Sequence, residues 1–234
     1  MKVQDSKSKE KSVREMFAAI AHSYDSMNRF LSWGRDTHWR REAVRLAEPG
    51  KDRVLDVATG TGDIALELVG YADLVVGVDS CPEMLNVGLL KASRRKLGRR
   101  IEFIAGDALA LPFVDNSFDC ALNGFALRNV SDLSLFFSEL RRVIKPGGRV
   151  VCLEFTKPSP GVFGALYRFY LFGIIPVLGR WVSGNTKAYE YLPASISCFM
   201  NEADLQKLME DAGFRNVSYK SLNLGTVAIH VGIK

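Results

Sequence analysis

The chain has 234 residues, a formal net charge of +5 and an apolar fraction of 47%. This length is enough for one sizeable core, so we expect a single domain. No uninterrupted apolar run reaches the roughly 18 residues of a membrane-spanning helix, and the Lys- and Ser-rich start lacks the features of a secretory signal or a mitochondrial leader. We therefore expect a cytoplasmic protein.

The number and spacing of the cysteines, histidines and basic residues further limit the kinds of site that the protein can contain. The four cysteines are scattered without CxxC spacing, and there are only three histidines. This pattern predicts reduced thiols and no metal site. The basic run from Arg94 to Arg100 favours a solvated helix end over attraction to nucleic acid or anionic lipid, so no nucleic-acid partner is expected.

The first part of the chain predicts a tail and a helical cap. Residues 1–10 are polar and charged and are predicted to be disordered. From Ser12, the expected N-cap, apolar residues recur at helical spacing through Ile20. After a segment dense in His, Tyr, Asn, Trp and Arg, a further helix is expected from Asp36 to Ala47. We therefore predict a helical cap at 12–47 within one domain of residues 11–234.

The middle of the chain alternates short apolar strands with helical patterns. Such alternation indicates βαβ units, a parallel sheet and right-handed crossovers. The predicted strands are Arg53–Val57, Leu74–Val78, Ile101–Ile104, Phe118–Leu122 and Arg149–Phe155; the predicted helices are Ile64–Val69, Pro82–Leu90 and Asp132–Ile144, the last capped by Ser131 and stopped by Pro146-Gly147-Gly148.

The last third departs from this alternation. Residues 162–181 are very apolar but are interrupted by arginine, glycine and proline. They form either a buried helical hairpin or a lid that offers apolar surface to a greasy substrate or a bilayer, and we predict a lid insertion at 160–195. A capped helix is expected from Asn201 to Ala212. Residues 214–220 and 226–233 alternate like a closing antiparallel hairpin.

A glycine turn follows the first predicted strand. Gly60 and Gly62 allow backbone N–H groups to approach a ligand, and Asp79 after the second strand can accept hydrogen bonds from both ribose hydroxyls. NAD and S-adenosylmethionine share these two requirements. At this point an NAD-dependent oxidoreductase therefore remains the alternative to a methyltransferase.

Three further features favour S-adenosylmethionine. Asp56, inside the turn motif, would repel a pyrophosphate but can face a cationic amino group. Asp107, after the third strand, can accept from an adenine amino group while the N–H of Ala108 meets the ring. The Pro-Gly-Gly turn at 146–148 is typical of seven-stranded methyltransferases. Together these features predict S-adenosylmethionine as the cofactor.

Several longer motifs resemble those of the ubiquinone/menaquinone biosynthesis C-methyltransferases, a likeness that covers residues 13–234. It rests on Y-D-S-M-N at 24–28, S-W-G at 32–34, L-R-N-V-S-D at 127–132, L-E-F-T-K-P at 153–158 and Y-L-P at 191–193. The chain departs from the family pattern at Gly124 and at 198–200. The resemblance implies an α/β fold with the Rossmann-like seven-stranded sheet of class I methyltransferases, mostly parallel with a closing antiparallel hairpin, plus the helical cap and the lid.

The resemblance also implies the reaction and the cofactor contacts. A methyl group would pass from S-adenosylmethionine to a ring carbon of a polyprenylated quinol, converting demethylmenaquinol to menaquinol; a benzoquinol of ubiquinone synthesis is the alternative acceptor. Thr61, Asp79, Asp107 and Ala108 would line the cofactor, with Gly60 and Gly62 making room. We expect an enzyme that visits the membrane surface, and its oligomeric state, including a homodimer, is left open.

Methylation of a quinol carbon requires that a phenol oxygen lose its proton as the new bond forms. Arg128 follows the fourth strand at the carboxyl edge of the sheet, where its guanidinium would stabilise the phenolate or order a water that takes the proton. Asn129 is expected to orient it; the alternative is that Arg128 only pairs with a structural carboxylate. Tyr24 is the expected substrate contact from the cap, with His22 and Asn28 as further candidates.

Overall fold

The computed structural model describes residues 2–49, 52–157, 161–177 and 186–234. Its β-strands form one seven-stranded sheet with the order β3-β2-β1-β4-β5-β7-β6. The strands are β1 (Arg53–Val57), β2 (Leu74–Asp79), β3 (Ile101–Ala105), β4 (Phe118–Gly124), β5 (Ile144–Phe155), β6 (Arg215–Leu222) and β7 (Val227–Ile233).

The strand directions explain where a ligand can bind. Strands β1 to β5 are parallel, whereas β7 lies antiparallel between β5 and β6. Because β1 pairs with β2 on one side and with β4 on the other, the strand order reverses between β1 and β4. Ligands of such sheets bind beyond the carboxyl ends of the strands at this reversal. The predicted sheet, with its closing antiparallel hairpin, is confirmed.

Helices cover both faces of the sheet and one of its edges. They are α1 (Lys2–Ile20), α2 (Tyr24–Leu31), α3 (Arg35–Ala47), α4 (Asp63–Leu68), α5 (Pro82–Arg94), α6 (Leu133–Val143), α7 (Val162–Phe169), α8 (Thr186–Cys198) and α9 (Glu202–Asp211). Helix α7 continues as a π-helix, Tyr170–Ile174, and short 3₁₀ turns lie at Gly98–Arg100, Leu127–Asn129 and Asn223–Gly225. None of the described helices is long and apolar enough to cross a bilayer.

Successive residues along a strand point to opposite faces of the sheet, so each strand contributes to a core on both faces. Val54 packs on one face of the sheet with α3 and α4, and Leu55 packs on the other face with α6. A third apolar cluster joins the N-terminal helices to the lid, with Ile20 and Met27 packed beside Leu171 and Ile196. The cap is therefore held to the lid as well as to the sheet.

Three local predictions differ from the structure. Helix α1 begins at Lys2, so residues 2–10 extend a helix where a disordered tail was predicted, and Ser12 lies inside it. The N-cap of α6 is Asp132 rather than Ser131, because its carboxylate accepts the N–H of Leu135 at 2.9 Å. The glycine pair at 147–148 lies inside β5 rather than at a helix stop, since α6 already ends at Val143.

The predicted lid lies over the edge of the sheet at which the parallel strands have their carboxyl ends. Its described part comprises α7, the π-helix and α8, whereas 158–160 and 178–185 lie outside the described residues. The hydroxyl of Tyr170 donates to the carbonyl oxygen of Leu31 at 2.6 Å, which links the π-helix to the end of α2.

Candidate active site

A cavity of about 680 Å³ lies beyond the carboxyl ends of β1 to β4. Its walls include Gly60 of the glycine turn, Asp79 at the end of β2, Asp107 and Ala108 after β3, and Asn129 after β4. Side chains of α1 close one side. We call it the strand-end cavity.

Asp79 is fixed at the base of this cavity by backbone donors. Its Oδ2 accepts from the N–H of Gly60 at 2.8 Å, and its Oδ1 accepts from the N–H of Cys81 at 2.8 Å. Burial raises the pKa of Asp79, while the backbone hydrogen bonds act to lower it. A carboxylate has about four acceptor sites. The two backbone bonds therefore leave capacity for ligand hydroxyl groups.

Asp107 marks the end of the neighbouring strand in the same cavity. Its Oδ1 accepts the N–H of Leu109 at 2.9 Å, and Asp107 also forms an isolated β-bridge with Ala110. This tight turn presents Ala108 to the cavity. Gly60, Asp79, Asp107 and Ala108 are thus brought together at one edge of the sheet, as the sequence predicted.

Three other predicted cofactor residues, Asp56, Thr61 and Gly62, are not among the residues that line this cavity. Asp56 is 1% exposed, and its Oδ2 accepts from the Thr59 hydroxyl at 2.5 Å and from the Ala65 N–H at 3.0 Å. Burial raises the pKa of Asp56 to about 7. The buried Thr61 hydroxyl donates to Asp25 at 2.5 Å, and Gly62 packs against the ring of Phe103. These residues shape the turn.

A second cavity, of about 540 Å³, lies between the cap, the lid and the edge of the sheet. Most of its walls are apolar or aromatic, contributed by α1, α2, the helical lid segments and β5. Examples are Phe17, Met27, Phe155, Leu171 and Ile196. Polar groups at its walls include Asn28, Arg40 and Arg128. We call it the apolar cavity.

The two cavities share a wall of aromatic side chains, formed by Phe17, Tyr24 and Phe125. The rings of Phe17 and Tyr24 meet edge to face with centroids 6.0 Å apart. Burial raises the pKa of Tyr24, while Arg40 and Arg128 act to lower it. The wall therefore separates a polar compartment from an apolar one by about the thickness of one side chain.

Phe125 is held in an unusual backbone conformation at this wall. Its φ angle is +60°, a region that bulky residues rarely adopt. Its N–H donates to the carbonyl oxygen of Leu153 at 2.7 Å, and its ring stacks on Phe155 with centroids 4.6 Å apart. The Arg40 guanidinium lies over the Phe125 ring, 5.4 Å from its centroid. The surroundings thus fix the ring that borders both cavities.

Arg128 reaches the apolar cavity from the 3₁₀ turn after β4. Its Nη1 donates to Glu154 Oε1 at 2.5 Å and to the carbonyl oxygen of Phe125 at 2.8 Å, and its Nε donates to the Ser195 hydroxyl at 3.2 Å. The side chains of Arg128 and Glu154 are only 6% and 2% exposed. Among the described residues, no hydrogen bond uses Nη2.

Arg128 pairs with a structural carboxylate and also reaches a ligand-sized cavity. Within the described part of the chain, no hydrogen bond joins the side chains of Asn129 and Arg128: the Asn129 amide oxygen accepts from the Tyr191 hydroxyl at 2.8 Å, and Asn129 lines the strand-end cavity. His22 is exposed, whereas Tyr24 and Asn28 line the apolar cavity.

A charge cluster that the sequence does not predict ties the cap to the glycine turn. Lys91 of α5 donates to Asp25 of α2 at 2.8 Å and pairs with Asp63 at the start of α4. Burial acts to raise the pKa of Asp63, but Arg40 and Lys91 lower it. Asp25 belongs to the Y-D-S-M-N motif, yet no spacing in the sequence connects it with Lys91.

Nearly the whole chain matches a family of known proteins. The model of the ubiE/COQ5 methyltransferase family matches residues 5–234. The chain belongs to this family. The demethylmenaquinone methyltransferase of Thermus thermophilus is 48% identical over 220 residues, which cover 93% of this chain and 99% of that protein. The ubiquinone/menaquinone biosynthesis C-methyltransferase UbiE of Rickettsia prowazekii is 40% identical over 229 residues, covering 95% and 92%.

Solved structures place the fold in the same class. An S-adenosylmethionine-dependent methyltransferase of Thermotoga maritima has a TM-score of 0.67 at 21% identity, covering 94% of this chain and 99% of that one. One from Aquifex aeolicus has a TM-score of 0.62 at 21% identity, covering 89% and 96%. The class I methyltransferase fold is confirmed by these likenesses. Together with the family match, the prediction of an S-adenosylmethionine-dependent methyltransferase is confirmed, and the NAD-dependent alternative is not favoured.

Proposed function

We propose that this methyltransferase transfers a methyl group to a ring carbon of a polyprenylated quinol, with demethylmenaquinol as acceptor and menaquinol as product. The observation that carries the proposal is the aromatic wall of Phe17, Tyr24 and Phe125 between the strand-end cavity and the apolar cavity. The strand-end cavity, with its polar groups, suits a nucleoside methyl donor. The apolar cavity, on the other side of the shared wall, suits an apolar acceptor. Such juxtaposition supplies much of the rate of a group transfer.

The strand-end cavity fits the donor. Both cavities fall within the roughly 300–1,000 Å³ typical of small-molecule sites. Asp79 would accept from ribose hydroxyls, Asp107 and Ala108 would meet the adenine, and Gly60 leaves room for the rest. When bound, S-adenosylmethionine supplies an electrophilic methyl group on a sulfonium.

Arg128 is the proposed polar group beside the acceptor's ring oxygen. Nucleophilic attack by the ring carbon needs the hydroxyl proton to leave, and the guanidinium would donate to that oxygen and stabilise its developing negative charge. Arginine keeps its own proton, so the hydroxyl proton goes to a water that the guanidinium orders. The methylated ring carbon then loses its hydrogen as a proton while the ring oxygen regains one, which restores the aromatic quinol. Tyr24, in the shared wall, would hold the ring in line with the strand-end cavity.

The apolar cavity also suits a prenylated ring. Its walls are mostly aliphatic and aromatic, and its size is that of a ring with the first part of a tail rather than of a long tail. The Thermus thermophilus relative is named for demethylmenaquinone, and this name supports the naphthoquinol over a benzoquinol. Because a polyprenyl tail partitions into lipid, we expect the enzyme to work as a peripheral protein at the cytoplasmic face of the membrane.

The direct test is methyl transfer from labelled S-adenosylmethionine to reduced demethylmenaquinone, beside a reduced demethylated benzoquinol, in detergent. We expect product from the naphthoquinol. Product from the benzoquinol alone would show that the acceptor is a benzoquinol and not the proposed naphthoquinol. No product from either, with S-adenosylhomocysteine still bound, would overturn quinol methylation and leave the fold and the cofactor in place.

A further inference from the structure

Two large apolar side chains stand at strained turn positions beside the apolar cavity. Trp33, between α2 and α3, has φ +55° and is 85% exposed. Leu224, in the turn before β7, has φ +58° and is 76% exposed. Both also line the apolar cavity. Side chains of this size seldom occupy such backbone conformations, and the strain that they cause is typically retained at functional positions.

Hydrogen bonds join these two turns to the lid. Arg35 Nη1, next to the first turn, donates to the amide oxygen of Asn223 in the second at 2.9 Å. The hydroxyl of Tyr170 in the π-helix donates to the carbonyl oxygen of Leu31, two residues before Trp33, at 2.6 Å. The two turns and the lid therefore form one continuous border of the cavity, which we call the portal rim.

The lid adds an apolar outer stripe to the portal rim. Along α7, Val162 is 81% exposed, Leu166 is 62% exposed and Phe169 is 66% exposed. The opposite side of the same segment lines the cavity with Tyr167 and Leu171. A helix with apolar residues on both faces is normally buried on both. Apolar residues grouped on an exposed face mark a contact with a partner or a membrane.

The charges near the portal rim indicate which partner fits. Residues 161–177 contain one charged residue, Arg168, and it is exposed. Arg29 and Arg35, both exposed, flank the turn of Trp33. Apolar side chains with arginines beside them match the acyl chains and the anionic headgroups of a bilayer surface. An indole at such a boundary is typical of interfacial anchors.

We propose that the portal rim docks on an anionic bilayer and that the acceptor enters the apolar cavity from the bilayer between Trp33 and Leu224. The identity of the entering molecule rests on the proposed function, whereas the docking surface does not. In this arrangement the ring reaches Arg128 and the aromatic wall while the tail stays in lipid. The bilayer and the cavity then form one continuous apolar path.

The test measures sedimentation of the full-length protein with vesicles of phosphatidylglycerol and phosphatidylethanolamine, and with vesicles of phosphatidylcholine alone. We expect binding to the anionic vesicles that weakens with salt. The double variant Val162→Ser/Leu166→Ser should bind about tenfold more weakly, since two apolar side chains no longer enter the lipid. Neither residue lines the catalytic cavities, so turnover of a short-tailed, water-soluble quinol should be unchanged.

The matched control carries the same two replacements elsewhere. Val114 is 79% exposed and Leu90 is 54% exposed, and neither belongs to the portal rim. Val114→Ser/Leu90→Ser should keep wild-type vesicle binding. Equal weakening in both double variants, or no binding to any vesicle, would overturn the proposal. So would a stable dimer that Val162→Ser/Leu166→Ser dissociates without any change in vesicle binding, because the stripe would then cover a second copy.

The two proposals fail in different measurements. If the wild type binds anionic vesicles through the rim but methylates no quinol, the docking surface stands and the proposed function is wrong. If it turns over the short-tailed quinol but ignores vesicles, the proposed function stands and the docking surface is wrong.

Discussion

The Arg128 guanidinium and the Glu154 carboxylate form a buried ion pair in which Nη1 and Oε1 are 2.5 Å apart. Removing one partner of such a pair leaves an uncompensated buried charge, which costs about 3–5 kcal/mol. Glu154→Gln and Arg128→Met should each lower the free energy of unfolding by about this amount. Urea denaturation of the two variants measures it.

The double variant Arg128→Met/Glu154→Gln separates stability from catalysis. Because both charges are then gone, it should recover a large part of the stability lost in either single variant. It should still lack methyl transfer, since the donor beside the ring oxygen is missing. Recovery of turnover in the double variant would show that the pair is structural and that Arg128 has no role at the reacting ring.

The pairing of Arg128 with Glu154 illustrates how far the sequence predicts the site. The sequence predicts that Asp79 and Asp107 follow two strands at one edge of the sheet, where they face one cavity. This layout is predictable because apolar runs and turn residues mark the end of each strand locally. Glu154 comes 26 residues after Arg128 along the chain. The two meet because β4 and β5 are adjacent, with Gly124 opposite Leu153. That adjacency is a property of the sheet order and has no local signal.

Other parts of the site depend on packing that periodicity does not report. Alternation along β1 does not tell whether Asp56 faces a ligand or the residues that follow β1, and the structure shows the latter. The left-handed backbone of Phe125 could not be predicted, since the residue type disfavours it. By contrast, the capped helix after Asn201 was predicted correctly, because an N-cap is a local interaction: the Asn201 side chain accepts from the Asp204 N–H.

The buried Asp56 predicts a pH dependence of stability. Its pKa is about 7 in the folded protein, against a reference value of 3.8, because burial disfavours the charged carboxylate. Between pH 3.8 and pH 7 the folded protein binds more protons at Asp56 than the unfolded chain does. The stabilisation that Asp56 contributes is therefore complete below pH 3.8 and is lost as the pH rises through about 7. The wild type should therefore lose stability from pH 5 to pH 8 through Asp56.

Asp56→Asn removes this titration and mimics the protonated carboxyl. Its amide oxygen, in the place of Oδ2, can accept from both the Ala65 N–H and the Thr59 hydroxyl. Relative to the wild type, the variant should gain on the order of 2–3 kcal/mol between pH 5 and pH 8. Urea unfolding without cofactor at both pH values measures the difference. A constant difference would mean that Asp56 does not titrate in this range.

The two glycines of the turn should respond differently to the same replacement. Both have positive φ, +57° for Gly60 and +79° for Gly62, so alanine at either costs about 1–2 kcal/mol of strain. A Cβ at Gly62 would also lie 2.6 Å from the Phe103 ring, whereas a Cβ at Gly60 meets nothing within 4 Å. Gly62→Ala should therefore lose clearly more stability in thermal or urea unfolding.

Cofactor binding should show the opposite order for these variants. Gly60 lines the strand-end cavity, so its new methyl group would occupy space meant for a ligand, whereas Gly62 is not among the lining residues. Calorimetric titration with S-adenosylhomocysteine should show the larger loss of affinity for Gly60→Ala, provided that both variants are folded. An equal loss in the two variants would place Gly62 against the cofactor as well.

Asp79 allows a matched test of the cofactor site. Asp79 ends β2, and a second aspartate, Asp73, lies just before the start of the same strand and serves as the control. Asp79→Asn replaces one acceptor oxygen with a donor that faces the N–H of either Gly60 or Cys81, and weakens acceptance of ribose hydroxyls. The affinity for S-adenosylhomocysteine should fall about ten- to a hundredfold, as expected for loss of a hydrogen bond to a charged group. Asp73 is exposed just before the opposite end of β2, so Asp73→Asn should bind normally. Unchanged binding by Asp79→Asn would remove the carboxylate from the cofactor site.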